Sequence, residues 1–182
     1  APQARRIYGP LLDAAASGGD LPQTAASIRA LWKGFDARRK GNEEESRQSF
    51  ARAAELHPHN ALARLEWGLE QVKTGGQGPA LETLTHAGQL DGGYQSMLEP
   101  LLADLRAGAA TDSSLNAVIA YRRGLLAQSE GDYEEAVAAL TEAITLDPRL
   151  DDAHTSRAFN LIILKRFDQA CEGIQNYLEQ TQ

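Results

Sequence analysis

The residues of this chain that could perform chemistry are four histidines and one cysteine. His57 and His59 flank Pro58, and two imidazoles so close together could contribute to a metal site. The pattern His57-Pro58-His59 also marks the end of a helical segment, and this favours a solvent-exposed turn. Cys171 stands among apolar residues of the last helical segment, which favours packing over reactivity. The sequence holds no HExxH, CxxC or phosphate-loop motif.

Two further clusters could bind ions. Gly75-Gly76-Gln77-Gly78 is as dense in glycine as a phosphate-binding loop, but it lies between two helical patterns rather than after a strand, so it predicts a turn. Glu43-Glu44-Glu45 could attract a basic partner. A solvated helix start after Asn42 is the favoured interpretation, because the helix dipole stabilises acids there. We therefore predict a protein that is not an enzyme, with no catalytic residue, no cofactor and no bound metal.

Composition narrows the class of partner. The chain has 182 residues and a formal net charge of -7, and an acidic surface repels phosphate groups, so we expect no nucleic-acid partner. No apolar run approaches the roughly 20 residues that span a bilayer, so we expect no direct membrane insertion. A single cysteine excludes an intrachain disulfide and fits a reducing compartment without excluding the periplasm. Localisation stays open between the cytoplasm and the periplasm.

The elements that would position these residues follow an internal repeat of about 34 residues. Its clearest block runs from Tyr121 to Pro148, where two helical patterns meet at Gly131-Asp132 and the proline closes the unit. Shifted by one period, small residues fall on small ones and large on large ones: Gly124 on Ala158, Tyr133 on Phe167, Ala136 on Ala170, and Leu140 on Ile174. The first half repeats the pattern with Gly34, Gly41, Ser46, Phe50, Ala53 and Pro58, and again with Gly68, Gly75, Ala80, Leu84 and Ala87.

This pattern resembles the tetratricopeptide repeat family over most of the chain. The resemblance implies an all-α, right-handed superhelical solenoid of about four helix-turn-helix repeats. Residues 95–116 fall outside the repeat, and their apolar stripe predicts an extra helix between the second and third repeats. The expected divisions are an N-terminal helical extension at 1–26, repeat units 1 and 2 at 27–94, an inserted helix and loop at 95–116, and repeat units 3 and 4 at 117–182. The insertion could instead be a joint between two halves, although we favour the extra helix. Lys165 stands where the inter-helix glycine is expected, which puts that turn in doubt.

Hydrophobic periodicity and capping residues predict the individual helices. The repeat helices are expected at 22–39, 43–56, 60–74, 78–90, 114–129, 132–146, 150–164 and 167–180. Two more helical patterns lie at 3–16 and 95–106, the second interrupted by Pro100. We expect Gly34, Gly68, Gly124 and Ala158 to allow close helix approach, with Phe50, Leu84, Leu140 and Ile174 filling the wedge between pairs.

In this family the inner surface is lined by one face of each first helix. The repeat pattern assigns to that face, unit by unit, Ile28, Leu31, Phe35 and Arg38; Leu62, Leu65, Leu69 and Val72; Val118, Tyr121, Leu125 and Gln128; and Asp152, Thr155, Phe159 and Ile162. Because the set is largely apolar, the basic clamp with which some members capture a C-terminal carboxylate is absent.

The predicted function is a protein–protein interaction scaffold. A long exposed apolar strip is unfavourable in water, so the inner face predicts a groove for a hydrophobic peptide or an amphipathic helix. Coverage by the chain's own extra helices, or burial in tight packing, is the alternative and has nearly equal weight. The predicted partner-binding residues are Leu31, Phe35, Arg38, Leu65, Leu69, Val72, Tyr121, Leu125, Phe159 and Ile162. Arg38, Arg39 and Lys73 would set the partner's orientation.

Two other functions fit the same sequence. The chain could be the regulatory or targeting module of a larger enzyme or membrane-complex polypeptide, because such repeats often accompany other domains. It could also be a homo-oligomeric assembly scaffold. Leu161-Ile162-Ile163-Leu164 makes one helix apolar on most sides, and such a helix needs cover on two of them. A homodimer through the C-terminal unit would supply the second cover.

Overall fold

The architecture is all-α, as the sequence predicts. The structure, a computed structural model, describes residues 20–180. The helical pattern at 3–16 and most of the 1–26 extension lie outside the described residues. Within residues 20–180 there are nine helices and no strand. They are α1 Leu21–Arg39, α2 Glu43–Leu56, α3 Ala61–Lys73, α4 Gln77–Leu90, α5 Gly92–Arg106, α6 Asp112–Glu130, α7 Tyr133–Leu146, α8 Asp151–Ile163 and α9 Phe167–Gln180.

The repeat helices begin and end within about two residues of their predicted positions, and side-chain caps explain several starts. The Asn60 side chain accepts a hydrogen bond from the Ala63 amide at 3.1 Å, and Asp132 does the same for the Glu135 amide at 3.1 Å. Helix α6 starts two residues earlier than predicted, because Thr111 forms a capping box with Ser114.

The turn inside each helix pair is built the same way in all four repeats. A backbone amide reaches back five residues to a carbonyl: Asn42 to Ala37 at 2.9 Å, Gly76 to Gln71 at 2.9 Å, Asp132 to Ala127 at 2.9 Å, and Arg166 to Leu161 at 2.8 Å. The residue before each amide has a positive φ, namely +77° at Gly41, +77° at Gly75, +83° at Gly131 and +61° at Lys165. The fourth turn therefore forms despite its lysine, in a backbone conformation that glycine adopts at lower cost.

Close approach at the small residues is confirmed. A Cβ atom added to Gly34 would lie 2.5 Å from Phe50 Cε1, and one added to Gly68 would lie 2.5 Å from Leu84 Cδ2. At Gly124 the nearest atom would be Leu140 Cγ, 2.6 Å away. Each large side chain thus packs against the glycine of its own helix pair, rather than only in the wedge between pairs. These contacts fix the spacing of the two helices.

The inserted helix α5 is longer than predicted and contains Pro100 in its interior. Such a proline costs a helix about 3 kcal/mol. The helix also buries six large side chains, each worth about 1.5–3 kcal/mol when fully buried, and this outweighs the proline. They are Tyr94, Met97, Leu98, Leu101, Leu102 and Leu105, at most 5% exposed. The chain divides into two compact units within this helix. Unit 1 ends at Gln95 and unit 2 begins at Ser96.

Candidate partner-binding surface

The ten predicted partner-binding residues fall into three classes of burial. Four belong to the core: Leu31, Leu65, Leu69 and Tyr121 are at most 5% exposed. Four are half-buried: Phe35, Arg38, Val72 and Leu125. Phe159 and Ile162 are 49% and 50% exposed. A first helix of such a pair packs against its own second helix and against neighbouring repeats, so most of its apolar face is used internally, as the alternative of tight packing expected.

In unit 1, Arg38 joins α1 to α3. Its guanidinium lies 2.8 Å from a carboxylate oxygen of Glu66 and 2.8 Å from one of Glu70, and it lies 4.6 Å from the centre of the Phe50 ring. Lys73 bonds to the same Glu70 carboxylate at 3.0 Å. These cations neutralise two buried acids, so Arg38 and Lys73 have a structural role besides the predicted orienting one. The sequence signal that we missed is two glutamates four residues apart on an otherwise apolar helix face.

In unit 2, a polar contact sets α6 beside α8. The fully buried Asn160 donates from Nδ2 to Gln128 Oε1 at 2.8 Å and to the Ser156 carbonyl at 2.7 Å. The sequence pattern predicts Gln128 on the inner face, and it gives no signal that Asn160 is its hydrogen-bond partner. The α6–α8 surface, as we call it, consists of Leu125, Gln128, Phe159 and Ile162.

The start of α8 is held in place by an ion-pair network within unit 2. Both terminal nitrogens of Arg149 donate to the two carboxylate oxygens of Asp104, each at 2.8 Å, and one of them also donates to Asp147 at 2.7 Å. These bonds raise the pKa of Arg149 and lower the pKa of Asp104. The bidentate geometry ties the segment that precedes α8 to α5.

The residues first considered for chemistry lie in ordinary structural settings. The His57-Pro58-His59 segment forms the turn between α2 and α3, and Gly75 supplies the turn between α3 and α4. Cys171 is exposed on α9, so the expectation that it packs inside is wrong. Among residues 20–180, no three histidine, cysteine or acidic side chains come together as metal ligands would. Within the same residues, no helix is long and apolar enough to cross a membrane.

The acidic run at the start of α2 is engaged with basic neighbours. Glu44 forms an ion pair with Arg47, and Glu45 forms one with Lys33 at 3.2 Å. An open depression of about 530 Å³ lies beside these residues. Both ion pairs are exposed and contribute little to stability, which fits the predicted solvated helix start.

Comparison with known proteins bears on the family. The model of the tetratricopeptide repeat matches residues 117–150, which span α6 and α7. Among solved structures, the chain is similar to the MamA protein, with 21% identity over 85% of this chain and 91% of that chain and a TM-score of 0.35. It is also similar to the MamA RS-1 ArsTM double mutant, with 18% identity over 85% and 93% of the two chains and a TM-score of 0.34.

None of the curated proteins compared with this chain matches it significantly. The family model covers the third repeat only, but the same turn hydrogen bond and the same glycine contact recur in the first two helix pairs. Residues 117–150 therefore match the tetratricopeptide repeat, and the first two helix pairs have the same construction as this matched repeat.

Proposed function

We propose that this protein is an interaction scaffold and that it binds a helix or extended peptide of another protein at the α6–α8 surface. Tetratricopeptide repeats are typically protein-interaction modules without catalytic activity. The observation that carries the proposal is the exposure of Phe159 and Ile162, 49% and 50%. In the second repeat, the same positions are occupied by Leu69, which is buried, and by the half-buried Val72.

The chemistry of this surface suits an apolar partner segment with a polar backbone contact. Phe159 and Ile162 on α8 and the half-buried Leu125 on α6 offer apolar area on two helices that the Gln128–Asn160 bond joins. Burial of such area drives association. Gln128 uses its Oε1 atom as the acceptor for Asn160, so its Nε2 amino group is oriented by that bond and can donate to a partner's carbonyl. The buried members of the predicted set, such as Tyr121, would support this surface without touching the partner.

A pull-down with a matched control tests the proposal. The wild-type chain would be compared with Phe159→Asp/Ile162→Asp and with Ile119→Asp. Ile119 is 36% exposed on α6 but does not belong to the surface. We expect the wild type and the Ile119 variant to retain the same partner and the double variant to lose it, with circular dichroism showing that all three are folded. Retention by a folded double variant would place the binding site elsewhere.

A homodimer through the C-terminal unit is the second candidate function. It is favoured by three exposed apolar residues that lie close together on α8: Phe159, Ile162 and Ile163. Light scattering over a range of protein concentrations tests it. A mass that stays at one chain would exclude this function, whereas a doubled mass that reverts in Phe159→Asp/Ile162→Asp would support it over a foreign partner.

A further inference from the structure

Helix α9 carries an apolar row that the described residues leave largely uncovered. The α9 stripe, as we call it, consists of Phe167, Cys171, Ile174 and Leu178, which recur at helical spacing on one side of the helix. Phe167 is 56% exposed and Leu178 is 52% exposed. Cys171 is also exposed, and Ile174 is half-buried. The stripe is separate from the α6–α8 surface, which lies on first helices only.

The internal repeat shows what kind of element covers such a stripe. One period earlier, the equivalent residues are Tyr133, Val137, Leu140 and Ile144 of α7. There Leu140 is fully buried and the other three are half-buried, with α8 packed against α7 as the next helix. The α9 stripe is therefore the kind of surface against which one more helix packs.

The charge beside the stripe indicates the composition of that helix. Ala170 and Tyr177 face α8, since Ala170 is buried and the Tyr177 ring stacks on His154 at 4.4 Å. The opposite flank of the stripe carries Asp168, Glu172 and Glu179, all exposed. Helix α9 contains no lysine or arginine. An acidic ridge thus runs along the open side.

Two arginines bind the residues of α7 that are equivalent to the acidic ridge of α9. Arg166, which follows α8, donates to Glu134 at 2.7 Å, and Glu134 is the repeat equivalent of Asp168. From α8 itself, Arg157 donates to Thr141 at 2.9 Å, and Thr141 is the equivalent of Gln175. An element that covers the α9 stripe in the same way would bring its cations to a ridge with three carboxylates.

We infer that the α9 stripe is a second docking surface, for an amphipathic helix of a partner protein with an apolar face and a basic flank. A second copy of this chain fits less well, because antiparallel packing of two α9 helices sets one acidic ridge against the other. The partner helix need not resemble α8 in sequence. It needs apolar residues at helical spacing and two or three cations along one edge.

A peptide from the chain itself supplies the probe. Residues 149–166, synthesised with a fluorescent label, contain the α8 segment with four cations and two carboxylates. We expect saturable binding to the full chain, measured by fluorescence anisotropy, that weakens as salt rises. Asp168→Lys/Glu172→Lys should weaken binding about tenfold or more, and Phe167→Asp/Leu178→Asp should abolish it. Ile119→Asp, the control on α6, should bind as wild type does.

Several results would overturn this inference. One is the absence of peptide binding by a folded, monomeric wild-type chain. Another is equal binding by the wild type and the α9 variants, which would mean that the peptide displaces α8 instead. A concentration-dependent dimer that Phe167→Asp abolishes would assign the stripe to a second copy. The Phe159→Asp/Ile162→Asp variant should keep its peptide binding, so failure of this inference and failure of the α6–α8 proposal can be told apart.

Discussion

Replacing Gly34 with alanine tests the steric basis of the repeat. The new Cβ atom would lie 2.5, 2.7 and 2.9 Å from three carbons of the Phe50 ring, well inside the roughly 3.5–4.0 Å at which carbon atoms pack. The ring has little room to retreat. It is 0% exposed, and the Phe35 ring lies edge-on at 5.2 Å while Arg38 lies 4.6 Å from its centre.

The expected loss of stability follows from two opposing effects. Overpacking a well-packed core costs about 1–3 kcal/mol, and alanine in place of glycine inside a helix regains about 0.5–1 kcal/mol. We therefore expect Gly34→Ala to lower the free energy of unfolding by about 1–2 kcal/mol. Gly78→Ala in α4 is the matched control, because nothing lies within 4 Å of its added Cβ. It should change the free energy of unfolding by less than about 0.5 kcal/mol, because Gly78 lies in the first turn of α4 and precedes Pro79, which offsets the usual gain from alanine.

Urea denaturation followed by far-UV circular dichroism measures both changes, with the slopes compared as well as the midpoints. The double variant Gly34→Ala/Phe50→Ile copies the pair Ala158 and Ile174 of the fourth repeat, so it should lose less than the sum of the single changes. The reasoning would be refuted if Gly34→Ala were as stable as Gly78→Ala, because the glycine would then not be required by the packing.

Three further predictions follow from the turns and ion pairs. Lys165→Gly should raise the free energy of unfolding by about 1 kcal/mol in urea, because it relieves the positive φ of that turn. Asp104→Asn should cost about 1 kcal/mol at neutral pH, since a charge-assisted bond is lost to the half-exposed Arg149. Because the folded pKa of Asp104 lies below its ordinary 3.8, the difference from wild type should shrink as pH falls below about 4. Arg38→Met should cost about 2–3 kcal/mol, since it leaves the buried Glu66 and Glu70 with less compensation.

Each of these has its own contrary result. If Lys165→Gly did not raise the free energy of unfolding, the lysine side chain would stabilise the fold by as much as the positive φ destabilises it. Thermal melts at several pH values measure the stability difference between Asp104→Asn and wild type. If this difference stayed constant from neutral to acid pH, protonation of the Asp104 carboxylate would not contribute to the loss of stability in acid. For Arg38, the double variant Arg38→Met/Glu66→Gln should recover part of the loss, and its failure to do so would contradict the ion-pair account.

Helix positions, the repeat period and the close-packed glycines could be predicted from sequence because they depend on local patterns. A small residue such as Gly124 and a large one such as Leu140 stand at a fixed separation, and a helix pair converts that separation into contact. Caps such as Asn60 act within one turn and are equally local. The tetratricopeptide family could be recognised for the same reason.

Which face residues stay accessible was decided by tertiary structure. Leu69 and Phe159 occupy equivalent positions and both are apolar, yet one is buried and the other is 49% exposed, because exposure depends on what packs beside each helix. The sequence predicts that Pro100 interrupts the inserted helix. In the structure α5 is continuous, because burial of the apolar residues on either side of Pro100 stabilises it. Helix positions and caps depend on residues that are close together in the chain. Burial and ion pairing join residues far apart in the chain, so only the folded arrangement determines them.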